Sequence, residues 1–185
     1  MTGLLILAAL SFTDPGRGDL ELGIGGGAWI PTGSDFETAL SAGPMFEAAL
    51  QIPMELSSCI WLRSGYRSAS TDSAAWDGIT CIPLQIGYRS YPFYHRYAGQ
   101  RGLEPFVGIG AGGFVAWDEP ADGDEDGVSS GGGIVSIELG TRIRLGETTF
   151  MDVVLRPEWM PCGKELAGED DLSGLSAVAV LHFTP

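Results

Sequence analysis

Leu175-Ser176-Ala177-Val178-Ala179-Val180-Leu181-His182-Phe183 alternates between two faces with a period of two and closes on an aromatic residue. Successive side chains of a strand point to opposite faces of a sheet, so this alternation is a strand signature. Seven further runs of the same kind lie upstream, near residues 20–30, 43–53, 59–68, 79–90, 104–116, 133–145 and 149–159. Turn-rich connections separate them, and no helical period intervenes. Eight such runs predict an all-β fold, an eight-stranded antiparallel up-and-down barrel.

The two faces of each run differ in chemistry. In the fourth, Ile82, Leu84, Ile86 and Tyr88 share one parity, against Cys81, Pro83, Gln85, Gly87 and Arg89. In the sixth, Val135, Ile137, Leu139, Thr141 and Ile143 oppose Ser136, Glu138, Gly140, Arg142 and Arg144. In the seventh, Met151, Val153 and Leu155 oppose Asp152, Val154, Arg156 and Glu158. A soluble barrel turns its apolar face inward, and a membrane barrel turns it outward. Three features favour the second arrangement. The polar face mixes charges with many glycines, which suits a narrow lumen. The runs reach about ten residues, enough to cross a bilayer when tilted. Tyr66, Tyr88, Trp117, Trp159 and Phe183 fall near run ends on the apolar parity, as an interfacial girdle requires, whereas Trp29 and Trp61 fall on the other. Ile82, Leu84, Ile86, Val135, Ile137, Leu139, Val153, Leu155, Ala179 and Leu181 are therefore expected to face lipid. The connections 31–42, 69–78, 117–132 and 160–173 are long and polar, and 54–58 and 146–148 are short. That places long loops at one end of a transmembrane barrel, with the long connection 91–103 as the exception.

Composition bounds the function. The chain has 185 residues, 28 of them glycine, and a formal net charge of −14, which excludes the basic footprint that nucleic acid requires. Much of the acid falls in connections, at Asp118 to Asp126 and Glu165 to Asp171. No apolar run reaches the ~18 to 20 residues of a membrane helix. The opening Met1 to Leu10 is apolar like a secretory signal but lacks its basic start. Residues 1–18 are read as a truncated or atypical signal segment and 19–185 as the barrel. Cys59, Cys81 and Cys162 have neither the count of a disulfide framework nor the spacing of a zinc site.

The most informative constellation is the charge on the polar parity: Glu47, Arg63, Arg67, Arg89, Glu138, Arg142, Asp152, Arg156 and Glu158. Buried charges persist only when paired, so these residues are expected to form an ionic network that plugs the lumen. The Gly146-Glu147-Thr148 turn sets Leu145 opposite Thr149, which brings Arg142 to Asp152 and Glu138 to Arg156. The same parity in the second and third runs sets Glu47 against Arg67 and Gln51 against Arg63.

Other chemistry is thinly represented. His95 and His182 sit in no nucleophile motif and read as solvated or barrel-lining residues. Asp122-Gly-Asp124-Glu-Asp126-Gly127 opens like a calcium loop, but Gly133 stands where the closing Glu belongs, so a solvated acidic loop is the better reading. Gly23, Gly25, Gly26 and Gly27 lack the lysine of a phosphate loop and read as strand glycines. No catalytic residue, cofactor or metal is expected.

The stretches Ile82 to Arg89, Glu104 to Phe114, Ile137 to Arg144 and the terminal strand ending in Phe183 together resemble the small eight-stranded outer-membrane β-barrel domain family of Gram-negative bacteria. The resemblance covers residues 19–183. It implies an outer-membrane location, a monomer, and outer-membrane lipid and the barrel-assembly machinery as partners. It also implies a structural, anchoring or surface-interaction role rather than catalysis. A soluble lipocalin-like barrel for an apolar ligand and an outer-leaflet lipid-modifying enzyme are the alternatives.

Overall fold

The computed structural model describes residues 20–32, 40–55, 57–70, 76–93, 103–120, 127–166 and 169–185. The signal segment 1–18, His95 and the acidic stretch Asp122 to Asp126 lie outside them. Ten strands follow in order: β1 (Glu21–Pro31), β2 (Gly43–Glu55), β3 (Ser58–Ser70), β4 (Trp76–Ser90), β5 (Leu103–Pro120), β6 (Ser129–Arg144), β7 (Thr149–Trp159), β8 (Pro161–Leu166), β9 (Glu169–Asp171) and β10 (Gly174–Phe183). Eight of them form a closed antiparallel barrel in the order β1-β10-β7-β6-β5-β4-β3-β2. Pairing of β1 with β10, from Leu22 opposite Phe183 to Pro31 opposite Gly174, removes the last sheet edge.

The barrel is inside-out. Ile82, Leu84, Ile86, Val135, Ile137, Leu139, Val153 and Leu155 are exposed on the outer wall. Ala179 is exposed beside them, and Leu181 half-buried. Tyr66, Tyr88, Trp159 and Phe183 are exposed with them, whereas Trp29 and Trp61 point into the lumen and are buried.

The outer wall changes along β6 above this collar. On the outer face of β6 the apolar series stops at Val135, and Gly133, Gly131 and Ser129 follow toward the mouth, the end that carries the long connections. At 18 and 16 residues, β5 and β6 outreach the ~9 to 11 that cross a bilayer. Inside this upper part Trp29, Met45, Ile79, Phe114, Ala116, Ile134, Met160, Leu166 and Leu172 belong to a buried apolar cluster that continues down the barrel through Val178, Val154, Phe106 and Tyr91. Arg67, Thr80 and Asp118 are buried beside its upper members. A wall surrounded by water hides apolar groups inward, and a wall surrounded by hydrocarbon presents them outward.

The connection 160–173, expected to be a polar loop, contributes to this stopper. β8 and β9 pair with each other, Pro161 opposite Asp171, and Leu172 N–H donates to Met160 O at 3.0 Å. They prolong the β7–β10 hairpin, in which Gly174 faces Glu158. Among its described residues three apolar side chains are buried, Leu166 in β8 and Met160 and Leu172 flanking the two strands, set among charges, so no alternation announced them.

Register follows expectation in one hairpin and departs from it in another. Arg142 lies opposite Asp152 in the β6–β7 pair, and the flanking partners Leu139–Leu155 and Ser136–Glu158 keep the same register, which sets Glu138 against Arg156. Between β2 and β3, however, Glu47 faces Gly65, Met45 faces Arg67 and Gln51 faces Trp61. The expected Glu47–Arg67 and Gln51–Arg63 pairs are therefore wrong by two residues. Pairing continues to Pro53–Cys59 and, across an irregularity, Glu55–Ser58, so the turn is tighter than charge opposition suggested. A two-residue slip keeps every side chain on its face.

Glycines on the inner face make room for large side chains. A Cβ on Gly87 would lie 2.1 Å from Trp61 Cζ2, and one on Gly110 would lie 2.3 Å from Trp61 Cη2. The indole lies flat across two neighbouring strands because neither has a side chain there. Gly87→Val is expected to cost about 1–3 kcal/mol by overpacking. Ile137→Arg, at mid-wall on the outer face, should cost about 2–4 kcal/mol in bilayers. Urea unfolding of the barrel in lipid vesicles measures both, and unchanged midpoints would refute the packing and the orientation respectively.

Candidate functional site

Below the apolar stopper the lumen is ionic. β2 supplies Glu47 and Gln51, β3 Arg63 and Arg67, and β4 Gln85 and Arg89. β6 supplies Ser136, Glu138 and Arg142, β7 Asp152, Arg156 and Glu158, β10 Ser176 and His182, and β1 Glu21. All are buried. β5 contributes no charge here; its inner positions Gly108 and Gly110 make space for Glu138 and Trp61.

Three carboxylates organise the network. Glu138 binds Arg63, accepts from Arg89 Nε at 3.1 Å and from Arg156 at 3.2 and 3.3 Å, and so holds three guanidiniums at once. Asp152 accepts from Arg142 Nε at 2.8 Å, from Arg89 at 2.5 Å and from Gln51 at 3.3 Å, with His182 Nε2 at 3.1 Å. Glu158 accepts from Arg67 at 2.5 and 2.9 Å, from Gln85 at 3.2 Å and from Ser176 at 2.6 Å. Glu47 takes Arg156 at 2.8 Å, and Glu21 takes Arg142 at 3.0 Å. The guanidiniums also rest on aromatic faces, Arg63 over Trp61 at 4.1 Å and Arg89 over Phe106 at 3.9 Å.

Charge is nearly balanced. Among the described residues five carboxylates (Glu21, Glu47, Glu138, Asp152, Glu158) meet five guanidiniums (Arg63, Arg67, Arg89, Arg142, Arg156) in the ionic part of the lumen, and Asp118, nearer the mouth, is a sixth buried carboxylate. Most of the formal net charge of −14 is therefore carried outside the lumen. At mid-height, beside Glu47, Arg63, Glu138 and His182, the lumen keeps a cavity of about 10 Å³. That is on the order of a single water.

All nine charged residues singled out from sequence lie in this lumen, but partners differ from strand-to-strand opposition. Glu47 reaches across to Arg156 rather than to Arg67, and Arg67 reaches across to Glu158. Sequence reading omitted Glu21, Gln85, Ser136 and Ser176 as partners. Glu21 stands on the inner parity at the first residue of β1, a signal that was available. Uncharged Gln85, Ser136 and Ser176 carry none. His182 lines the barrel, 1% exposed, with its ring against Gly23. Gly23, Gly25, Gly26 and Gly27 lie in β1 as strand glycines. Among the described residues no group of three or more His, Cys, Asp or Glu side chains is placed to hold a metal ion.

No protein-family model matches the chain, and neither does any curated protein sequence. Solved structures do. Neisserial surface protein A aligns with a TM-score of 0.71 over 90% of this chain and 97% of that one, at 8% identity. The outer membrane protein OprG from Pseudomonas aeruginosa aligns at 0.61 over 88% of this chain and 94% of that one, at 13% identity. Ail, the attachment invasion locus protein of Yersinia pestis, aligns at 0.50 over 89% and 97%, at 10% identity. The chain has the fold of the small eight-stranded outer-membrane barrels.

Removing one member of a buried pair strands the other. Glu138→Gln should cost about 3–5 kcal/mol, because three guanidiniums lose their shared anion. Glu147→Gln, exposed in the β6–β7 turn, should leave stability unchanged. Equal urea midpoints for both variants in vesicles would show that the network contributes nothing to stability.

Proposed function

We propose that this chain is an integral outer-membrane barrel that conducts nothing through its lumen and does its work, structural, anchoring or surface-interacting, at its mouth. The observation that carries the reading is the inverted wall. A collar of exposed Ile, Leu and Val encloses an interior of opposed carboxylates and guanidiniums. In water the collar would be an aggregation hazard far larger than the apolar patches of soluble monomers. In a bilayer it is the solvated surface.

Two stacked layers support closure. The apolar stopper fills the upper lumen and the salt-bridge network fills the middle. A lipocalin-like site would need an apolar cavity of hundreds of Å³, whereas the mid-lumen cavity beside Glu138 holds about 10 Å³. His182 points into that interior against Asp152 and Gln51, which gives it no approach to a lipid or peptide substrate. A non-enzymatic role fits these placements, with outer-membrane lipid as the surrounding solvent and the barrel-assembly machinery as the inserting partner.

Purified protein mixed with vesicles should float with them and require detergent for extraction. Planar-bilayer recordings should show little or no steady conductance. Recovery in the soluble fraction would overturn the membrane assignment, and large stable channels would overturn the closed lumen.

A further inference from the structure

The outer wall is not uniformly ridged. A groove of about 940 Å³ crosses it diagonally from Phe46 and Tyr66, nearer the mouth, to Leu181 and Met151, nearer the opposite end. Its floor is made where neighbouring strands present small residues outward. Gly26 lies opposite Ala179, and Ala48 lies opposite Ser64. Elsewhere the same wall carries Leu84, Ile86, Ile109, Ile137 and Leu155 at comparable heights.

The polar groups of the lining side chains are engaged away from the groove. The Glu47 carboxylate turns inward to Arg156 at 2.8 Å, Ser64 Oγ donates to Pro83 O at 2.9 Å, and Tyr66 Oη lies 3.4 Å from Thr80 Oγ1. The groove thus presents mostly hydrocarbon. It is also continuous with the apolar collar, so whatever fills it comes from the medium that the collar faces.

We infer that this groove is a seat for an acyl chain of a membrane lipid, held longer than chains elsewhere on the wall. The inference rests on the membrane reading above. Where hydrocarbon surrounds both states, close packing rather than water exclusion discriminates between them. A chain lying in this shallow groove touches more of the wall than a chain on the ridged face does.

Three proteins test it: the unaltered barrel, an Ala48→Phe/Ala179→Phe variant that fills the floor, and Ala111→Phe, which adds one such side chain to exposed β5 outside the groove. Each is reconstituted in vesicles of phosphatidylcholine and phosphatidylglycerol, extracted in mild detergent and examined by native mass spectrometry. The unaltered protein and Ala111→Phe should retain a lipid adduct that the groove-filled variant loses. An Ala48→Leu/Ala179→Leu pair replaces the aromatic variant if that one does not insert. Equal retention in every protein, retention in none, or a dimer of the unaltered barrel in place of the adduct would overturn the acyl-chain seat while leaving the membrane reading intact. Failure of the unaltered protein to float with vesicles would overturn both.

Discussion

Everything inside this barrel depends on the cost of an unpaired charge away from water. Isolating a carboxylate or guanidinium in a low-dielectric interior is prohibitive, and a partner with good geometry offsets that cost only when the remaining hydrogen-bonding positions are also filled. Among the described residues six carboxylates and five guanidiniums are buried in one narrow barrel. Glutamines and serines fill positions that the ions leave over, as Gln85 and Ser136 do beside Arg63. Glu138, wholly buried and bound by three arginines from β3, β4 and β7, ties opposite sides of the cylinder together.

The glycines follow from the same constraint. A narrow barrel cannot give every inward position a side chain when several of them are arginine or tryptophan. Gly87 and Gly110 make room for Trp61, Gly140 for Phe106, and Gly108 for Glu138. Arg63 and Arg89 then stack on the aromatic faces so placed, which gives the cations a second favourable contact. Strand glycine, ordinarily a weakness, here sets the diameter of the side-chain network.

The vertical organisation divides the molecule by solvent. In the collar, apolar groups face outward and charges inward; nearer the mouth more of the interior is apolar, although Arg67, Thr80 and Asp118 are buried there too. Met160, Leu166 and Leu172 meet Trp29 and Phe114 in that upper part, brought there by the β8–β9 prolongation of a hairpin.

Much of this was legible in the residue order. Period-two alternation located all eight barrel strands, and the parity of Ile82, Ile137 and Leu155 against Arg89, Glu138 and Arg156 identified which residues share a face, because the pleat alone determines that. The turn at Gly146 to Thr148, with Leu145 taken opposite Thr149, likewise set Arg142 against Asp152. What only the tertiary structure decided is which charges meet across the lumen. Glu47 chooses Arg156, and Arg67 chooses Glu158, because closure of the cylinder brings distant strands within side-chain reach. The β2–β3 register also lay beyond the sequence, because a slip of two residues preserves both faces and is settled by turn geometry rather than by charge. The upper apolar core was hidden for a similar reason. Its members are scattered over many strands, and only the closed barrel gathers them into one volume.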